Sequence, residues 1–160
     1  MKDVTFTSTI STFDSVNDLS QDIRDLMAKA VTIRKSAYAP YSNFRVGAAI
    51  LLENGAVVVG SNQENAAFPS GLCAERVAIF QAGALYPEVK IKIIAISAAS
   101  DTNQTRSPIP PCGACRQSIL EYETKQNHDI EIYFMGEVGN VYKSASLSNL
   151  LPFSFDKKFL

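Results

Sequence analysis

The stretch "RVGAAILLENGAVVVGS", residues 45–61, restricts the fold more than any other part of this chain. Two apolar runs flank Asn54-Gly55, and Asn-Gly between apolar runs is the strongest short-range signal for a two-residue hairpin turn. The pattern predicts antiparallel strands near 45–52 and 57–61. Upstream, Ile23, Leu26, Met27, Ala30 and Val31 recur at helical spacing from Ser20 onward, with Asp22 and Asp25 in the first turns, where the helix dipole favours negative charge. That helix is expected to stop before Pro40. Downstream, a helix is expected from about Cys73 to Gly83, with Gly83 as its left-handed cap. A β-branched strand follows at 91–97, then a proline-rich loop, a third helix from about Cys112, a strand at 130–135 and a last strand in "VYKSAS". "LSNLL" before Pro152 reads as a short helix at most. This order describes an α/β protein: a three-layer α/β/α arrangement with a mixed sheet of about five strands covered by helices.

At 160 residues, with 46% hydrophobic residues, the chain is of single-domain size and can bury a core without covalent staples. Residues 1–17 are rich in Ser and Thr and lack periodicity. They read as a flexible or loosely docked extension ahead of one domain spanning 18–160. Fifteen basic against sixteen acidic residues leave a net charge of −1, so no positive field exists to attract nucleic acid. The polar, acid-containing N-terminus resembles neither a secretory signal nor a membrane span, and an intracellular, cytoplasmic protein is expected.

All three cysteines fall just before or within expected helix starts: Cys73 in "GLCAER", Cys112 and Cys115 in "PPCGACRQ". An odd number suits a disulfide framework poorly. A C-x-x-C at a helix start presents two thiols to one metal ion, and the helix N-terminus favours the thiolates that zinc requires; the same spacing also occurs in redox motifs. Two such helix ends side by side would supply three ligands and leave one tetrahedral position open, the catalytic zinc pattern. Glu75, two residues past Cys73, would lie near such a metal without ligating it and could move protons. The single histidine, His128 in "KQNHDI", reads as a solvated loop residue.

Cys73-Ala74-Glu75 together with Pro111-Cys112-Gly113-Ala114-Cys115 fits the three-cysteine form of the zinc deaminase signature. The chain resembles the small homotetrameric cytidine deaminases over nearly its whole length after the extension. The resemblance implies one zinc ion per subunit on Cys73, Cys112 and Cys115, no organic cofactor, and Glu75 as the proton shuttle in converting cytidine and 2'-deoxycytidine to the uridine nucleosides with release of ammonia. It gives Arg76 the task of drawing charge from the thiolate ligands. "NQENAAF" resembles the nucleoside-binding segment: Asn62 and Glu64 alternate onto one face and suit the ribose hydroxyls, while Gln63 would offer backbone only. Phe44 resembles the aromatic against the pyrimidine, and the Ala74 amide the group that reads its O2. Phe68 and Phe155 are implied to act across subunits of a tetramer with shared pockets, Phe68 standing where relatives often carry tyrosine. A role in pyrimidine salvage follows from the same resemblance, and nucleic acid and membrane partners do not.

Overall fold

The computed structural model describes residues 1–160. The hairpin forms as the sequence requires: β2 (Phe44–Leu52) turns at Asn54-Gly55 into β3 (Val57–Ser61). Gly55 takes φ +84°, which a side chain would oppose, and Asn54 Oδ1 accepts the Ala56 N–H at 3.0 Å. On its other edge β2 pairs antiparallel with β4 (Ile91–Ser100), and β4 pairs parallel with β5 (Glu131–Met135). β5 then pairs antiparallel with β6 (Val141–Ser144).

A sixth strand completes the sheet, one more than the sequence reading expects. β1 (Ser11–Phe13) pairs antiparallel with β6, giving the order β1-β6-β5-β4-β2-β3. Three residues are too few to show alternation, so this strand exists only because β6 offers it a partner. The last strand ends at Ser144, and the "LSNLL" segment is a hydrogen-bonded turn rather than a helix.

α1 (Gln21–Arg34) covers one face of the sheet, and α2 (Ala74–Leu85) and α3 (Gly113–Gln126) cover the other. The period-2 alternation of the strands sorts the two cores. Ala48, Ile50, Ile94, Ile96 and Ile132 face α2 and α3, where they meet Ala78, Ile79, Ile119 and Leu120. Ala49, Ala95, Tyr133 and Met135 face the α1 stripe of Ile23, Leu26, Met27 and Ala30. No helix is long and apolar enough to cross a membrane.

Two glycines set the layer spacing. A Cβ on Gly47 would lie 2.1 Å from the Ala30 carbonyl oxygen of α1, and one on Gly60 would lie 2.6 Å from the Ala78 nitrogen of α2. Both helices therefore rest directly on sheet backbone. Gly83, expected as the α2 cap, lies inside the helix instead, where the Tyr122 hydroxyl occupies the space its side chain would need. α2 runs on to Leu85 and stops ahead of Pro87, whose ring disfavours helix in the residue before it. α3 ends on Asn127 in the left-handed region, φ +48°. The buried Glu123 carboxylate near that end accepts from the Ile130, Leu147 and Ser148 amides and from the Ser148 hydroxyl, fixing the turn after β6 to α3.

Candidate metal centre and adjoining cleft

The residues ahead of α2 and α3 are both cysteines with extended backbone, Cys73 at φ −71°, ψ 154° and Cys112 at φ −67°, ψ 168°. Their carbonyls accept the first helical bonds, from Arg76 and Val77 in α2 and from Arg116 in α3. Neither thiol caps its own helix, so both sulfurs are free to turn toward a common point. Cys115, one turn into α3, is fully buried and joins them. Cys73 Sγ lies 3.8 Å from Cys112 Sγ, and Cys112 Sγ lies 3.5 Å from Cys115 Sγ. All three sulfurs fall within 4.8 Å of one another.

Proton sharing among these thiols is uneven. The hydrogen bond from Cys115 holds Cys73 down at about 5 against the opposing effect of burial, with Arg76 assisting. The same bond, together with burial, pushes Cys115 far above the ordinary thiol range. Arg76 Nη2 stands 4.0 Å from Cys73 Sγ and 3.5 Å from the Gly71 carbonyl, while its buried Nε finds no hydrogen-bond partner. Burial works against the Arg76 charge, but the bond and the negative charge of Cys73 outweigh it and raise its pKa.

This donor set fits zinc. Three sulfur atoms on two rigid helix starts match the metal's preference for thiolate, and three protein ligands are the number that leaves a coordination position for water or substrate. The guanidinium aimed at the sulfurs, with one donor still unpaired, supplies the positive charge that a three-thiolate site needs. Glu75 lies beside them, 5% exposed. Burial raises its carboxyl to about 7, and the Cys73 charge adds to the effect. A carboxyl held near neutrality can both take up and release a proton.

Along the end of β3, a cleft of about 530 Å³ opens onto Cys73 and Arg76. It brings together Asn62, Gln63, Glu64 and Phe68 of the sequence-derived set, and adds Tyr41, Ser42 and Leu72. Glu64 is pinned rather than free: its carboxylate accepts from the Ser42 hydroxyl at 2.5 Å and from the Tyr41 amide at 2.9 Å, and these bonds lower its pKa. Asn62 ties the hairpin together, accepting from the Val46 amide at 2.7 Å and donating to the Phe44 carbonyl at 2.9 Å. One N–H and one lone pair of its amide remain for a ligand. The Gln63 backbone, expected to face a ligand, exchanges both its hydrogen bonds with Leu72 at 2.9 Å.

Phe44 is half-buried at the start of β2 and does not line this cleft. Ala74 is fully buried at the first position of α2. Phe68 is 74% exposed and meets Tyr41 edge-on, with ring centroids 5.8 Å apart. Phe155 also lies outside the cleft, exposed and stacked on Phe159 at 5.8 Å. His128 is exposed, with its ring Nδ1 on the Asp129 carbonyl. Two contributors have only weak sequence signals. Ser42, in "YSNF", orients Glu64; Arg116, next to Cys115, spans the Pro111 and Leu150 carbonyls at 2.9 Å each and holds the loop that carries Cys112.

Residues 20–128 match the family described as the cytidine and deoxycytidylate deaminase zinc-binding region. A cytidine deaminase of Halalkalibacterium halodurans is 40% identical over 134 residues, spanning 84% of this chain and 94% of the relative. One from Sporosarcina psychrophila is 37% identical over 139 residues, 87% of this chain and 95% of the relative. Among solved structures, the cytidine deaminase from Burkholderia pseudomallei superposes with a TM-score of 0.71 at 36% identity, covering 86% of this chain and all of that one. Sheet, helix placement and sulfur cluster thus define a zinc-dependent hydrolase. Within that class the chain belongs to the cytidine deaminase family. One zinc per subunit fits both the family and the three-sulfur cluster.

Proposed function

We propose that this protein hydrolyses cytidine and 2'-deoxycytidine to uridine and 2'-deoxyuridine, releasing ammonia, as a cytoplasmic homotetramer in pyrimidine salvage. The observation that carries the reading is the three-sulfur cluster at two converging helix starts with Glu75 buried beside it. Cys73, Cys112 and Cys115 would hold the zinc ion, which when bound would supply the Lewis acidity that makes a water nucleophilic near neutral pH. Glu75 would take one proton from the attacking water and deliver it to N3 as the water oxygen bonds to C4, then carry that oxygen's second proton to the amino group, which leaves as ammonia when the C4–N4 bond breaks. Its own affinity for protons, near neutrality, suits a group that must accept and donate within one turnover.

Asn62 and Glu64 hold the ribose hydroxyls from the cleft, with Glu64 already ionised and oriented by Ser42. The Ala74 amide is assigned to O2, and Phe44, which stands outside the cleft lining but whose carbonyl accepts from the Asn62 side chain, is assigned to the pyrimidine face from the cleft edge. The exposed rings of Phe68 and Phe155 are consistent with aromatic contributions to a pocket completed by a neighbouring subunit, since large exposed aromatics gain most from being covered.

The direct test follows the ultraviolet absorbance of cytidine with zinc-loaded protein, in which turnover is expected. Glu75→Gln should retain one zinc per chain and lose roughly 10²–10⁴-fold in kcat, the range for removing a general acid–base group. Full activity in that variant would eliminate Glu75 as the shuttle. Zinc-loaded wild type that leaves both nucleosides untouched would eliminate the substrate assignment.

A further inference from the structure

Residues 1–19 lie outside the family match, yet several contacts fasten this segment to the body. β1 ladders onto β6 through Ser11, Thr12 and Phe13. Two residues earlier, the Thr9 amide donates to Asn149 Oδ1 at 2.9 Å, and Asn149 Nδ2 donates back to the Thr9 carbonyl. A side-chain amide presents the same donor and acceptor as a peptide group, so Asn149 continues the ladder past the end of β6. Farther out, the Phe6 ring meets Phe153 with centroids 4.4 Å apart. At the other end, Ser15 and Asp18 form a reciprocal capping box that fixes the chain's approach to α1.

The segment reached by these contacts is the C-terminal one, where regular structure is sparse. After β6 the chain forms a turn, passes Pro152 and continues through Phe153 and Phe155 with only a three-residue helical turn near its end. From the opposite side it is held by α3: Arg116 Nη1 donates to the Leu150 carbonyl at 2.9 Å, and Gln117 Nε2 to the Phe155 carbonyl at 2.8 Å. Residues 149–155 are therefore gripped between the N-terminal arm and the first turns of the helix that carries Cys115. With no sheet or long helix to fix their direction, these few contacts, together with the stack of Phe155 on Phe159, set where Phe155 points.

We propose that residues 6–13 act as a strap that fixes the C-terminal segment 149–155 and thereby sets Phe155 for the neighbouring subunit's pocket. Phe6, Thr9 and Asn149 are its positioning residues. The assignment of Phe155 to a neighbour rests on the functional reading above; the strap itself rests on the contacts just described.

The experiment compares zinc-loaded full-length protein with a chain lacking residues 1–10, which keeps β1, and with Phe6→Ser and Thr9→Pro, which remove single anchors. Hydrogen exchange at Leu150 and Leu151, whose amides bond to the Leu147 and Ser148 carbonyls, reports the segment directly. Exchange there should quicken about tenfold in each variant, as expected for losing an aromatic contact or hydrogen bond, while β2 and β4 stay unchanged. Phe6→Leu should restore most of the protection. For cytidine, KM should rise about tenfold while kcat stays within about twofold and zinc content holds. Unchanged exchange at Leu150 and Leu151 overturns the strap, whatever the substrate. Faster exchange with an unaltered KM overturns its link to the pocket. If the wild type itself does not turn over cytidine, the functional reading fails, and the exchange comparison still decides the strap.

Discussion

Replacing Gly60 by alanine should separate α2 from the sheet and show how far the site depends on that contact. The new Cβ would lie 2.6 Å from the Ala78 nitrogen, 2.7 Å from the Ala74 carbonyl oxygen and 3.1 Å from the Ala78 Cα. All three are backbone atoms, so no side chain can rotate away. Ordinary contact begins near 3.4 Å, which requires the first turns of α2 to retreat by about 0.8 Å, or 3.4 less 2.6. Overpacking of this kind costs typically about 1–3 kcal/mol, and the upper end is expected where only backbone can yield. With a urea dependence of roughly 1–3 kcal/mol per molar, the unfolding midpoint should fall by about 1–3 M. The displaced turn carries Glu75 and begins directly after Cys73, and a misplacement of about 1 Å costs roughly 10²-fold in rate. Urea titrations and kcat/KM for cytidine, measured together, test both effects. Gly113→Ala is the control: nothing lies within 4 Å of its added Cβ, although it sits between Cys112 and Cys115. Its stability should change by no more than about 0.5 kcal/mol. A Gly60→Ala protein with wild-type midpoint and rate would refute the reasoning.

Glu123→Gln puts an N–H₂ group where a carboxyl oxygen now receives amide donors, and should destabilise the fold by about 3 kcal/mol, read from the urea midpoint. A midpoint within error of wild type would show that the turn after β6 holds without it. Arg116→Ala frees the Pro111 carbonyl and should weaken zinc binding about 10–100-fold in chelator competition, with Arg116→Lys intermediate; equal affinities would remove its supporting role. In zinc-free protein the Glu75 carboxyl, raised from 4.5 to about 7, contributes stability that is complete below about pH 4.5 and is lost as pH rises through 7. Relative to Glu75→Gln, zinc-free wild type should therefore lose about 3 kcal/mol across that interval, and a gain over the same interval would contradict the sign.

The layers were legible because they are periodic. The α1 stripe, the Asn54-Gly55 turn and the β-branched start of β4 each follow from spacing and residue type. The end of β4 does not: Ser97-Ala98-Ala99-Ser100 has little intrinsic strand preference and is extended because β2 pairs with it as far as Phe44. Gly83 misled for a related reason, since its small size serves Tyr122 packing rather than a turn. At the site, the cysteines and Glu75 stood out because metal chemistry demands particular residue types at particular spacings. The cleft was less legible. Alternation placed Asn62 and Glu64 on one face, but only the structure reveals that Asn62 also joins β2 to β3 and that Ser42 steers Glu64. Nothing in "LEYETKQN" distinguishes Glu123 from Glu121, because the difference is burial against a turn more than twenty residues away.

The two halves of the sulfur cluster are also far apart along the chain: Cys73 and Cys112 are separated by 39 positions. A metal joining them closes a loop containing all of α2 and β4. In the unfolded chain such a closure removes about 4 kcal/mol of conformational freedom by the relation used for cross-links of this span. An ion bound there would thus also be a reversible tether between the starts of two helices whose other contacts are core packing and the Tyr122–Gly83 approach. Loading the site with zinc is therefore expected to raise resistance to unfolding as well as to support turnover.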